Sequence, residues 1–249
     1  MYLTAQELEA QMPDATQLLS DEPEMESSLH YSQLLILVSC LEWLWRNQDN
    51  FFIGANLTIY FSRQQLRNRD FRGPDFFLVK QTEKRDRKSW VVWEEAGKYP
   101  DLIIELLSTS TANVDEVIAA PGGSLRENVD RTLKKELYQN QFRTPEYFWF
   151  SPDDLEFAGF RLVGNLYQEI TPDCRGCLWS EVLGLALGVA AGKLRYFTAS
   201  GVLVPSPEEA AEQERQQKEI AQRQVEQERI RSERLAERLR SGVDPDSLD

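Results

Sequence analysis

Long apolar runs are what this 249-residue chain most plainly lacks. The longest, Leu34–Leu41, is too short to cross a bilayer and follows an amphipathic pattern, so no membrane span is expected. Cysteine is scarce: three residues, an odd number, argue against a disulfide framework and agree with a reducing compartment. Histidine occurs once, as His30, and the Cys174–Cys177 CxxC has no second pair, so a zinc site is not supported. Lys and Arg are absent from residues 1–30, which carry seven acids. The opening MYLTAQELEAQM thus lacks the basic start and apolar middle of a signal peptide, and the cytoplasm is the expected location. Gly, Pro and aromatics are absent from 208–240, where Glu, Gln, Arg and Ala dominate and a helix is expected. Its larger apolar residues, Ile220, Val225, Ile230, Leu235 and Leu239, do not follow a heptad. An exposed helix with intermittent partner contacts fits better than a strong coiled coil. No repeat of solenoid length is present.

What is there suffices for one folded body. Hydrophobic residues make up 41%, including six Trp, eight Tyr and twelve Phe. The net charge of −13 lies mostly outside that body: the tail 206–249 has twelve acids and eight bases, leaving 20 bases and 22 acids in 31–205. A nearly neutral body supplies no electrostatic footprint for nucleic acid, though it does not forbid binding. The organisation expected is an acidic segment 1–28, a domain 29–205 and a charged helical extension 206–249.

Along the chain, Thr4 caps a short predicted helix, Ala5–Met12, and an acidic loop follows. Leu29–Asn47 has apolar residues at three- and four-residue steps and reads as a core helix. Phe51–Phe61 and Pro74–Lys80 read as strands joined by the basic connector Arg63–Arg72, and Ser89–Val92 as a short extended piece. After a strand around Leu102–Leu107 comes a loop with Pro121-Gly122-Gly123, then a helix Ser124–Asn140 with a capping box at Ser124 and Glu127. Pro145–Phe150 is an aromatic strand. The pieces Leu155–Val163, Leu166–Ile170, Leu185–Ala190, Lys193–Thr198 and Val202–Val204 read as hairpins finishing a sheet.

Glu105 stands in the middle of the apolar run Leu102–Leu107, sharing a strand face with Asp101, Ile103 and Leu107. A carboxylate amid that much aliphatic surface needs a cation, a proton or several donors. Asp75 opens the preceding long strand. Adjacent strands lie about 5 Å apart, so the two carboxylates can meet, and a divalent cation is the usual remedy for their repulsion. The alternative splits the pair: Asp75 accepts backbone donors in the Gly73-Pro74 turn, and Glu105 pairs with an Arg. Downstream, Asp130–Tyr138 (DRTLKKELY) puts Lys134 and Tyr138 on one helix face, but periodicity does not separate Lys134 from Lys135. A Lys beside paired carboxylates can orient water and stabilise an oxyanion; on a helix it is otherwise simply solvated.

Pro74-Asp75, the apolar strand with Glu105 followed by LLS, the D-x-x-x-K-x-x-x-Y helix and the EYFWF-x-P strand together resemble the putative restriction endonuclease family. That family is common in photosynthetic bacteria and is a branch of the PD-(D/E)XK nuclease superfamily. The resemblance runs from about Ser28 to Pro207. It implies an α/β (α+β) fold, with an α-β-β-β-α-β core whose mixed sheet is flanked by helices, followed by added hairpins and the helical tail. It also implies Mg²⁺ (or Mn²⁺) bound by Asp75 and Glu105, with Lys134 assisting catalysis. Glu26 is the candidate for an accessory acid, with His30 nearby as a further one.

The chain departs from the superfamily where a Lys commonly lies two residues after the Glu: that position is Leu107. The family's usual alternative is a Lys on the following helix, which Lys134 fits. The 114–129 loop is long, and Ser151 stands where an Asp is common. The expected function is a cytoplasmic, Mg²⁺-dependent endodeoxyribonuclease acting on nucleic acid, DNA foremost, with a homodimer allowed. The rival is an inactive nuclease-fold scaffold that engages a protein partner through 208–240.

Overall fold

The computed structural model describes residues 4, 18–22, 25, 27–62, 73–107 and 134–240. The predicted helix Ala5–Met12, the connector 63–72, the long loop, residues 124–133 of the second predicted helix and Glu26 lie outside the described residues. The chain divides into two compact units, Met1–Val204 and Pro205–Asp249.

Helix α1 spans Ser28–Leu44; Ser27 caps it, its hydroxyl accepting the His30 N–H at 3.2 Å. The three- and four-residue spacing buries Leu34, Leu37 and Leu41. Gln33, also buried, clamps Leu194 by donating to its carbonyl and accepting its N–H, both at 3.0 Å.

Strand β1 (Phe51–Ala55) pairs antiparallel with β3 (Phe76–Lys80), and β3 pairs antiparallel with β5 (Leu102–Leu106). The single strand predicted over Phe51–Phe61 is broken. Asn56 adopts φ 46°, a left-handed conformation that Asn tolerates. The chain then leaves the sheet, and β2 (Ile59–Tyr60) pairs in parallel with β4 (Trp90–Val91) as a separate ribbon. From β5 the chain crosses to β6 (Glu146–Phe150), which lies parallel to it, as a crossover with a helix requires. Antiparallel strands β7 (Phe157–Val163) and β8 (Leu166–Glu169) complete a mixed sheet of order β1-β3-β5-β6-β7-β8.

The expectation that all later hairpins finish this sheet is corrected. Strands β9 (Leu178–Ser180), β10 (Leu185–Ala190) and β11 (Lys193–Phe197) form their own three-stranded sheet. It packs its apolar side, including Leu185, Leu187 and Leu194, into the core shared with α1 and with Phe76, Leu78, Ile104 and Phe148. The opposite face of the main sheet carries a second core, built from Phe77, Val79, Ile103, Tyr147, Trp90, Tyr138 and Phe142. Strand β5 is buried from end to end because both faces are covered.

Glu146 illustrates how this fold neutralises a buried carboxylate. It accepts from Arg161 Nε and Nη2 at 3.1 and 3.0 Å, from the Ser180 hydroxyl and from the Glu181 N–H at 2.9 Å. Residues 18–22, within the stretch expected as an acidic segment, are hydrogen-bonded to the body: the Ser20 N–H donates to Lys88 O and the Asp21 N–H to Thr58 Oγ1. In the second unit, α2 (Pro207–Arg240) is a helix with no buried residue, its surface laced by pairs such as Arg229–Glu226 and Arg229–Glu233. No described helix is long and apolar enough to cross a membrane.

Candidate active site

Asp75 and Glu105 share the sheet face that carries the second core. Phe77 and Ile103 belong to that core, and each carboxylate stands two residues from one of them, hence on the same side. The β3–β5 register pairs Phe76 with Ile104. Continued by one residue past the ladder, it sets Asp75 opposite Glu105. Asp75 does accept a backbone donor, but from the facing strand: its Oδ2 takes the Leu106 N–H at 2.7 Å. The carboxylate thus extends the ladder just ahead of the start of β3.

Glu105 is 5% exposed and, among the described residues, meets a lysine and a tyrosine rather than an arginine. Lys134 Nζ lies 3.3 Å from Oε1 and 3.2 Å from Oε2, and the Tyr138 hydroxyl donates to Oε1 at 2.6 Å. Both side chains come from one helical segment, α-helical over 134–137 and π-helical over Tyr138–Phe142. Residues four apart face the same way, so the segment presents Lys134 and Tyr138 together. A π-turn inside a helix is a frequent mark of a functional site. Lys135, one residue on, points elsewhere: its ammonium lies 3.6 Å from the centre of the Phe160 ring.

Burial raises the Glu105 carboxyl from its ordinary 4.5 to about 7. The Lys134 charge and the Tyr138 hydrogen bond oppose that rise, and the negative charge of Asp75 adds to it. The same burial, with Glu105 alongside, holds the Tyr138 phenol well above its ordinary range, so it remains a donor. Two hard carboxylates, one of them short of positive charge even with Lys134 beside it, form a donor set that suits Mg²⁺ or Mn²⁺. Among the described residues no group of three or more His, Cys, Asp or Glu is gathered for a metal ion.

Of the two accessory candidates, Glu26 lies outside the described residues and His30 is described. His30 is buried in the first turn of α1, and α1 packs its apolar stripe on the opposite face of the sheet. The acidic residue from ahead of α1 that reaches the entry to β3 is Glu22. It accepts from the Gly73 N–H and from Thr58 Oγ1, both at 2.6 Å. Leu107, two residues after Glu105, is buried. Sequence reasoning passed over Tyr138 as a site residue. The signal for Tyr138 was present in its four-residue spacing from Lys134.

Comparison with known proteins gives two findings. The family model Uma2, described as putative restriction endonuclease, matches residues 16–191. A crystal structure of a putative nuclease belonging to DUF820 from Anabaena variabilis is similar at 15% identity and a TM-score of 0.41, covering 65% of this chain and 76% of that one. No curated protein matches the chain.

Proposed function

Since the chain belongs to the Uma2 family of putative restriction endonucleases, we propose that it is a metal-dependent endonuclease hydrolysing phosphodiester bonds in nucleic acid, DNA foremost. The observation that carries this reading is the contact of Lys134 with Glu105, 3.2 Å apart, on the face that also carries Asp75.

Asp75 and Glu105 would hold Mg²⁺ or Mn²⁺. The bound ion supplies Lewis-acid polarisation of the scissile phosphate and acidifies water. Lys134 keeps positive charge beside the carboxylates, where it steadies the attacking water or the charge that develops on the phosphoryl oxygens. In the reaction, water oxygen adds to phosphorus, the phosphorus–oxygen ester bond breaks, and a proton passes to the leaving oxygen. The Asp75 hydrogen bond to Leu106 fixes its carboxylate against β5.

A second reading, a nuclease-fold scaffold, draws on α2, a helix of 34 residues with no buried side chain and thus a long accessible face. Incubating the purified protein with plasmid and single-stranded DNA in Mg²⁺ or Mn²⁺, beside Asp75→Ala and Glu105→Ala, separates the two. Cleavage lost in both variants supports the nuclease; no cleavage by the unaltered protein, or equal cleavage by the variants, overturns this site.

A further inference from the structure

We infer that Tyr138 is a positioning residue for the metal centre: its hydroxyl fixes the orientation of the Glu105 carboxylate through which the cation is held. The inference rests on the metal-dependent reading above and adds a residue to it.

Glu105 is held by one backbone and several rotatable side-chain bonds, and a metal ligand must present its oxygens in one orientation. Outer hydrogen bonds to ligating carboxylates do this in metal sites generally. The Tyr138–Glu105 bond is short, 2.6 Å, within the range of a hydroxyl donating to a carboxylate. Both partners are buried, Tyr138 completely, so water does not compete for either.

Tyr138 is itself immobilised. Its ring centre lies 5.6 Å from that of Phe142 and 5.6 Å from that of Tyr147. Its carbonyl accepts from the Thr144 N–H at 3.0 Å and from the Arg143 N–H, where the chain turns left-handed and ends the π-helix. A buried phenol hydroxyl is costly unless bonded. Glu105 Oε1 is its partner, so the hydroxyl is matched to this carboxylate rather than to packing alone. The division of labour follows from the geometry. Oε1 accepts from both the tyrosine and Lys134, and Oε2, whose contact among the described residues is Lys134 at 3.2 Å, has lone pairs left for a cation.

The test is Mn²⁺ affinity of the full-length protein by calorimetry, with Tyr138→Phe beside the unaltered chain and thermal unfolding without metal as a check on the fold. Tyr138→Phe should bind Mn²⁺ about tenfold more weakly while unfolding cooperatively. Placing p-aminophenylalanine at 138, which restores a donor, should recover most of the affinity. Unchanged affinity in a folded Tyr138→Phe overturns the inference. A second measurement needs no variant: Mg²⁺ added to the unaltered protein should produce a saturable tyrosine difference spectrum with the calorimetric midpoint. Binding without that spectrum also overturns it. Failure of the unaltered protein to bind Mn²⁺ at all instead defeats the metal-dependent reading beneath it.

Discussion

Lys134 Nζ stands 3.2 Å from Glu105 Oε2, the side chains meeting from a helix and a strand that lie 29 residues apart. The neighbouring Lys135 lies over the Phe160 ring. The two lysines are therefore separable by experiment. Lys134→Ala should lower cleavage by about 100-fold or more, the scale expected when a group stabilising developing charge is removed. Lys135→Ala should cleave near the unaltered rate. Mn²⁺ affinity should not fall in Lys134→Ala, because a positive charge beside the cation is removed. Steady-state cleavage and calorimetry on the three proteins check this.

Glu105 sets a pH dependence of stability. Its carboxyl is raised in the folded protein, from 4.5 to about 7, so the fold binds that proton more tightly than the unfolded chain does. The resulting stabilisation is fully present below the ordinary carboxyl value and is lost as pH rises through about 7. Its size is about 3 kcal/mol, at roughly 1.4 kcal/mol per pH unit. Without metal, the unaltered protein should lose stability between about pH 4.5 and about pH 7, and Glu105→Gln should flatten that slope. Urea unfolding across the range measures it.

Metal binding should mirror the same proton. A cation on Glu105 must displace it, so apparent Mn²⁺ affinity should rise about tenfold per pH unit below about 7 and level off above. Calorimetry at several pH values, with proton release read from buffers of different ionisation heat, tests this. Flat affinity across the window would show that Glu105 is not a ligand.

Glu146 is as buried as Glu105 but accepts from Arg161, Ser180 and the Glu181 N–H. Glu146→Ala strands those donors and should destabilise by about 3 kcal/mol, the scale of breaking a buried pair. Cleavage per folded molecule should stay near the unaltered value. Urea unfolding and active-fraction assays read the two effects separately.

Gly54 tests the packing of β1 on β3. A Cβ there would lie 2.1 Å from a ring carbon of Phe77, itself wholly buried. Gly54→Ala should destabilise by about 1–3 kcal/mol through overpacking. Thermal or urea unfolding reads it directly.

Helix α1, strands β3, β5 and β6 and the helix α2 were legible along the chain because each has a local signature: a three-to-four-residue apolar stripe, a short apolar run, or a long stretch free of Gly and Pro. The break at Asn56 was not, since alternation continues through Leu57, Ile59 and Phe61 while a single positive φ diverts the backbone. Nor was the separate sheet β9–β11. Strand patterns report which face is buried, but not which neighbour supplies the pairing.

At the site the division is similar. Residue type and spacing by themselves determined that Glu105 belongs to a strand, that Asp75 stands at the entry to one, and that Lys134 and Tyr138 share a helix face, because those periodicities are set by backbone geometry. Only the tertiary structure decided that Glu105 meets Lys134, that Lys135 turns away, and that Tyr138 donates to Oε1 of Glu105. Adjacent helical residues differ by about 100° in direction, consistent with 3.6 residues per turn. Which of them faces the sheet depends on how the helix lies over it, and that is set by packing against Tyr147 on β6, outside the motif itself.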